Sequence, residues 1–376
     1  MKYRRLGREN DQVSIIGFGC MRLPIIDNEY SKIDEVEAKK QLRYAIDRGI
    51  NYVDTAYPYH GGTSEAFVGR ALQDGYREKV FLATKSPSWL INSREDLDKY
   101  LDIQLNNLQT DHIDYYLLHA LNKKYWDNYL KCDVFDFIEK ALESGKIRNI
   151  GFSFHDEFEV FEEIINAYDW DFCQIQLNYF DEEYQAGLKG LHLAASKGIG
   201  VIIMEPLRGG RLAVVPDEIS DIWNSYPEKH TAAGWAFRYL WNKPEVRVIL
   251  SGMNNLDHID DNISEASLSE SNMLTDLEVA LIDKVKHLYK SRIKVDCTNC
   301  KYCMPCPNGV NIPGNFAVYN NASIFGDKEY HKKQYFNNMK PEELADMCIA
   351  CGACEPQCPQ NIEIIKELQN VAMYFK

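Results

Sequence analysis

Residues 348–359, CIACGACEPQCP, carry Cys348, Cys351, Cys354 and Cys358, with Pro359 directly after. At this spacing three thiolates can grip three irons of one cubane. The fourth, set by the proline turn, faces away and completes a neighbouring cluster. A second run lies upstream: Cys297, Cys300, Cys303 and Cys306, followed by Pro307, with a last gap of two residues rather than three. Zinc held by C-x2-C pairs is the competing structural reading. Zinc takes four ligands per ion and has no use for two tight quartets that each end in Cys-Pro. The pattern therefore predicts 4Fe-4S chemistry. Two clusters are expected, or one cluster and four spare thiols if the short gap misplaces Cys306.

Four other residues have side chains suited to moving a proton. Asp54, Lys85 and His119 each stand at the end of a short apolar run, and Tyr59 follows in the loop TAYPYHGG. Singly each has a bland reading: a turn-forming Asp, a packed Tyr, a satisfied core His. A buried Lys is different, because an ammonium taken out of water needs a partner, and Asp54 supplies one. Lys85 beside Tyr59 is expected to favour the phenolate and lower its pKa. His119 can hydrogen-bond a substrate oxygen from the other side. A carbonyl among the four would gain a proton on oxygen while a hydride reaches its carbon.

Something must bring these strand ends together. Eight segments read as buried strands: 14–19, 52–56, 80–85, 113–119, 149–153, 172–177, 200–206 and 247–252. They are rich in β-branched and aromatic residues and mostly continuous rather than alternating. Helical stretches separate them. VEAKKQLRYAIDR ends at Gly49, VFDFIEKALES at Gly145 and EEYQAGLKGLHLAASK at Gly198, each glycine suited to a helix C-terminus. Ser93 caps REDLDKYLDIQLNNL, and TDLE from Thr275 reads as a capping box. Eight strands alternating with helices over about 250 residues is the arithmetic of a (β/α)8 TIM barrel, whose active sites lie where strands end. A doubly wound sheet would prefer a G-x-G-x-x-G after an early strand, and GFGCMR (17–22) lacks the third glycine. YRRLGRENDQVSI reads as a hairpin that plugs the barrel bottom. Residues 1–290 are expected to form the barrel. Residues 291–376 form a small, mostly helical iron–sulfur domain, with helical patches at NFAVYNNASIF, PEELADMC and IEIIKELQNVAMYF.

The formal net charge is −14, and residues 291–376 hold nine basic and nine acidic side chains, so the acidic excess belongs to the first 290 residues. Such a surface repels nucleic acid and anionic membrane. Cys20, Cys132 and Cys173 are scattered and odd in number, which argues against a disulfide framework. The basic N-terminus is followed by no apolar signal core, and no apolar run is long enough to span a bilayer. These features point to a cytoplasmic protein of a reducing or anaerobic cell.

DTAYPYHGGTSEAFVGRAL, FLATK, DYYLLH and GKIRNIGFS resemble the aldo/keto reductase family, and the likeness runs from about residue 3 to residue 265. The whole chain resembles a subgroup of oxidoreductases that append a ferredoxin-like 4Fe-4S domain to that barrel. The resemblance implies reduction of an aldehyde or ketone with NADP(H) or NAD(H). By it, Tyr59 is the general acid and Asp54, Lys85 and His119 complete a tetrad. Ser153 and Gln176 match the carboxamide-binding positions, while Phe154 stands where the family usually has Asn. Met204 takes the place of the ring that stacks on nicotinamide, and Glu205 that of a common Ser. Pro206, Leu207, Arg208 and Gly210 fit the loop under the pyrophosphate. Asp261 and Asn262 match adenine contacts. Gly252 and His258 stand where NADP-preferring members carry Lys and Arg. Residue by residue, GMNNLDHIDDN reads equally well as a loop and an Asp-capped helix start. Tyr57 and Trp89, in loops near the site, favour an apolar or aromatic-compatible pocket.

A hydride moves two electrons and a cubane one, so a flavin is the usual bridge between them. Three arrangements follow. The barrel reduces carbonyls while the clusters hold structure or sense redox state. Or the clusters carry electrons from a ferredoxin partner to a substrate or flavin in the barrel. Or the protein is chiefly an electron-transfer module with an idle tetrad, which the intact tetrad disfavours.

Overall fold

The β-branched runs between the helices become parallel strands because they are apolar on both faces and need cover on both. The computed structural model describes all 376 residues. A two-stranded antiparallel hairpin, β1 (Tyr3–Leu6) and β2 (Asp11–Ser14), precedes eight parallel strands. These are β3 (Ile16–Gly19), β4 (Tyr52–Asp54), β5 (Phe81–Ser86), β6 (Ile113–Leu121), β7 (Ile147–Phe154), β8 (Phe172–Gln176), β9 (Gly200–Met204) and β10 (Val246–Ser251). They pair in chain order, and β10 closes on β3 to complete a barrel. All eight expected strands are present, with ends shifted by one or two residues.

The chain divides into two compact units, Met1–Ala213 with His230–Leu277, and Val214–Lys229 with Glu278–Lys376. In the first unit the barrel bottom is stoppered as expected. Leu6 and Val13 of the hairpin are buried in one cluster with Tyr52, Ala83, Tyr115, Leu117, Phe172, Ile202 and Val248. The hairpin is pinned there by the Arg8 amide on Asn149 Oδ1 at 2.7 Å and by Arg8 Nε on both Asp171 oxygens at 2.7 and 2.8 Å.

Helix ends follow their caps. Ser93 and Asp96 form a reciprocal capping box at the start of Arg94–Leu108, and Gly49, Gly145 and Gly198 take the left-handed backbone. One helix is shorter than expected, running only Gly187–Ser196. Gln185 and Gly187 are left-handed there, and the Leu188 amide turns back to the Glu182 carbonyl, so residues 182–186 form turns.

The second unit holds helices Ile312–Phe325, Lys328–Asn338 and Ile364–Phe375 around a core of Val310, Ile312, Phe316, Tyr335, Leu368, Val371 and Phe375. Lys328–Asn338 was not legible as a helix, because it turns only His331 and Tyr335 inward. PEELADMC, expected as a helical patch, forms two single 3-10 turns separated by extended Leu344. A buried polar staple ties the unit. Tyr335 donates to Asn315 Oδ1 and accepts from the Ala345 amide, both at 2.8 Å, while Asn315 Nδ2 reaches the Asn311 and Glu343 carbonyls.

Candidate active site and metal centre

Barrel register assembles the polar cluster. Asp54 on β4 lies opposite Ala83 on β5, and Lys85 is two residues further along the same inward face. Lys85 lies opposite Leu117 on β6, and His119 is again two residues on. Side chains two apart share a face, and the stagger of a closed barrel raises each neighbour by this step. The same ladder recurs across the barrel: Ser153 on β7 faces Gln174 on β8, and Gln176, two further, faces Met204 on β9. Tyr59 comes from a tight turn after β4, in which His60, Gly61 and Gly62 are all left-handed.

Lys85 and Asp54 are buried. Lys85 Nζ reaches both Asp54 oxygens and the Thr55 carbonyl at 2.8 Å each, so all three ammonium protons are engaged. Burial raises the Asp54 carboxyl, opposed by the charge and hydrogen bond of Lys85. Nζ stands 5.1 Å from the Tyr59 ring centroid. Burial pushes the Tyr59 phenol well above its usual value, and the Asp54 charge adds to this, with Tyr30, Cys20 and Glu205 behind it. The expected lowering by Lys85 is therefore reversed: the ammonium is turned to Asp54, and desolvation dominates at the phenol. A phenol that keeps its proton is the form a general acid requires.

His119 meets the Tyr59 ring edge-on at 6.3 Å and the Trp89 ring at 5.3 Å. Burial, then the charge of Lys85 and His155, holds its imidazole well below its ordinary value, so it is neutral. Its Nδ1 is buried with no hydrogen-bond partner. The residue after it, Ala120, is left-handed, and its amide donates to Ser153 Oγ at 2.7 Å. Behind Lys85 lies a network that sequence reading missed. Glu65, buried, accepts from Thr84 at 2.7 Å and Gln104 at 2.6 Å, and Gln104 also donates to the Lys85 carbonyl at 3.0 Å. Nothing in the sequence marks Glu65 as buried; it is one acidic residue within GTSEAFVGRAL.

The expected cofactor residues are placed unevenly. Ser153 Oγ accepts from Ala120 and keeps its proton to donate. Gln176 Nε2 leans on Asp181 at 3.4 Å, leaving Oε1 as an acceptor. Together they offer the donor and acceptor that a carboxamide needs. Pro206, Leu207, Arg208 and Gly210 follow Met204 in a loop where Glu205, Arg208, Gly209 and Gly210 all have positive φ. Arg208 Nε is drawn to Asp181 at 3.2 Å and its guanidinium lies 4.8 Å from the Phe180 ring centroid. Gly252 follows β10. Asn262 bonds Ser251 Oγ at 3.2 Å, and Asp261 accepts from Thr231 at 2.8 Å. His258 is exposed in the first turn of Leu256–Leu268, where Asn255, not an Asp, is the cap.

In the second unit, Cys297, Cys300, Cys303 and Cys358 line one cavity, walled by Ile312, Pro313, Phe316, Ile362 and Ile364. The last thiol of the second run thus joins the first three of the first. Cys354 sits within electrostatic reach of Cys348 and Cys303. Cys306 and Cys348 pack on the same core, and Cys351 is exposed. Four thiols lining one apolar-walled cavity are the ligand type that an iron–sulfur cubane takes.

Residues 15–287 match the model of the aldo/keto reductase family. The chain belongs to that family. It is an oxidoreductase, and residues 296–363 match a 4Fe-4S dicluster domain. This aldo/keto reductase is 30% identical over 233 residues to the uncharacterized oxidoreductase YrpG of Bacillus subtilis, covering 56% of this chain and 68% of that one. It is 26% identical over 317 residues to L-galactose dehydrogenase of Arabidopsis thaliana, covering 77% and 96%. It superposes on the holo form of aldo-keto reductase AKR11C1 from Bacillus halodurans with a TM-score of 0.64 and 27% identity, over 76% of this chain and 96% of that one. No helix of this aldo/keto reductase is long and apolar enough to cross a membrane.

Proposed function

We propose that the barrel reduces an aldehyde or ketone to an alcohol with NAD(P)H, using Asp54, Tyr59, Lys85 and His119. The observation that carries this reading is the buried Lys85–Asp54 pair beneath a Tyr59 phenol held protonated. Tyr59 donates its proton to the carbonyl oxygen. Neutral His119 offers a ring N–H to the same oxygen and orients it. The Lys85 charge faces the Tyr59 ring and, as the proton leaves, stabilises the phenolate. Ser153 and Gln176 would hold a carboxamide, Met204 would pack against a nicotinamide ring, and the loop Pro206, Leu207, Arg208 and Gly210, with Gly252, His258, Asp261 and Asn262, would line the rest of a dinucleotide. NAD(P)H, when bound there, supplies the hydride to carbon. The exposed His258 and the Arg208–Asp181 pair commit neither residue to a 2′-phosphate, so NADH stands beside NADPH as the cofactor. Trp89 against His119 favours a substrate with an apolar or aromatic group.

Residues 291–376, the cysteine-bearing part of the second unit, would hold two clusters. Cys297, Cys300, Cys303 and Cys358 serve one, and Cys348, Cys351, Cys354 and Cys306 the other. Such clusters supply one-electron transfer. The exposed Cys300 and Cys351 thiols favour a second reading, in which a ferredoxin feeds electrons through this region to a flavin or substrate in the barrel.

Anaerobic titration of the reconstituted protein with NADPH, then NADH, decides between them. The first reading expects no bleaching of the visible iron–sulfur absorption and nicotinamide consumption once a carbonyl is added. Bleaching by nicotinamide alone would favour the coupled reading.

A further inference from the structure

We infer that His60 is a clasp, holding the loop of residues 23–33 against the turn that carries Tyr59 and so positioning the phenol and one wall of the substrate mouth. The inference rests on the proposed role of Tyr59.

His60 follows Tyr59 directly and is buried in a left-handed backbone, φ 53°, with Gly61 and Gly62 left-handed after it. A bulky side chain held in that region is strained, so surrounding contacts must hold it. Both ring nitrogens are engaged by main chain. The Leu23 amide donates to Nε2 at 3.3 Å, and Nδ1 lies 2.7 Å from the Tyr30 carbonyl. An amide can only donate and a carbonyl can only accept, so the ring is neutral with its proton on Nδ1. Burial pushes His60 below its ordinary pKa, in keeping with that form.

The segment so held is stiff. It is a small hairpin with an Ile25–Ile33 bridge and the Ile26 amide on the Lys32 carbonyl at 2.9 Å. The Tyr30 ring stacks on the His60 ring at 4.6 Å and 20°. One further contact fastens the hairpin to the turn: Thr63 Oγ1 donates to the Ser31 carbonyl at 3.3 Å. Gly61 passes Ser31 so closely that a Cβ there would stand 3.2 Å from Ser31 Cβ. Ile25, Ile26 and Tyr30 keep exposed apolar surface on this loop, and Tyr30 is within electrostatic reach of the Tyr59 phenol. Such a surface beside the Tyr59 turn suits the apolar bulk of a carbonyl substrate. His60 touches no reacting atom; it acts through the turn and the loop.

Two variants divide the clasp. His60→Asn retains a donor near Nδ1 for Tyr30 and tolerates the left-handed backbone, whereas His60→Ala keeps neither contact. Amide exchange of the full chain should show residues 23–33 protected in the wild type and exchanging about tenfold faster or more in His60→Ala, with the barrel strands unchanged. The kcat/KM for an aromatic aldehyde should fall roughly tenfold to a hundredfold in His60→Ala, largely recover in His60→Asn, and leave the KM for nicotinamide cofactor unmoved. Equal exchange in wild type and His60→Ala would overturn the clasp. Faster exchange with unchanged kcat/KM, or a cofactor KM that rises in step, would overturn its positioning role. A wild type that reduces no carbonyl with either nicotinamide would defeat the proposed function alone, and the exchange comparison would still decide the clasp.

Discussion

The two units hold their reactive groups in opposite ways. In the barrel every arm of Lys85 is met by protein, Glu65 and Gln104 brace it from behind, and the Lys85–Asp54 pair is buried. In the cysteine unit the thiols lie around a cavity at the edge of a small core, with Cys300 and Cys351 open to solvent. A preformed polar site needs a large rigid scaffold, because buried charges must be paired before any ligand arrives. A cluster site can sit on a small scaffold, because the metal itself supplies the cross-links.

Removing iron from the reconstituted protein with a chelator should sharpen that contrast most. Residues 296–363 are expected to become rapidly cleaved by protease while the barrel fragment survives. Equal resistance of both segments would contradict the dependence on metal.

Tyr59→Phe tests the other side. It removes the proton but little volume, and it should lower kcat for carbonyl reduction by roughly 10²–10⁴-fold with the fold intact. Turnover within a factor of three of wild type would remove Tyr59 from its role.

The buried pair should respond strongly in stability. Lys85→Met leaves Asp54 buried and unpartnered, at a cost of roughly 3–5 kcal/mol. Adding Asp54→Leu should recover part of this, giving a large coupling in a denaturant double-mutant cycle. Additive losses would mean the pair does not act as a unit.

Below this comes the plug. Leu6→Ala should cost about 2–4 kcal/mol by opening a cavity under Tyr115 and Val248. A shift of under 0.5 kcal/mol would place the hairpin outside the cooperative core.

The smallest effect is electrostatic. His112 lies between Asp111 and Asp114 at 2.6 and 3.5 Å, and its pKa is raised, first by the hydrogen bond to Asp114, against burial and the charge of Arg77. A raised folded-state value means this contribution is whole below the ordinary His value of 6.5 and fades as pH climbs through the elevated one. His112→Gln should remove a stabilisation of under about 1 kcal/mol at pH 5.5 and almost none at pH 9. The same loss at both pH values would exclude the ion pairs as its source.

Much of the molecule was legible in the chain. The strands announced themselves because a parallel strand must be apolar on both faces, and the cysteine spacing because a cubane has fixed dimensions. Asp54, Lys85 and His119 could be grouped because strand ends converge in a barrel. The mid-segment helix Lys328–Asn338 stayed hidden, since only two of its side chains are buried and periodicity needs more. Glu65 and His60 were hidden for another reason: a polar residue's burial depends on what lands on top of it.

The sequence by itself determined the order of strands, the plugging hairpin, the inward side chains and the ligand types, because these follow from local pattern and covalent spacing. Only the tertiary structure decided that Glu65 lies buried behind Lys85, that Arg208 turns to Asp181, and that the Tyr59 phenol is raised rather than lowered. The first two depend on which distant segments meet. The third depends on desolvation outweighing a nearby charge already neutralised by its partner, a balance that exists only once the site is closed.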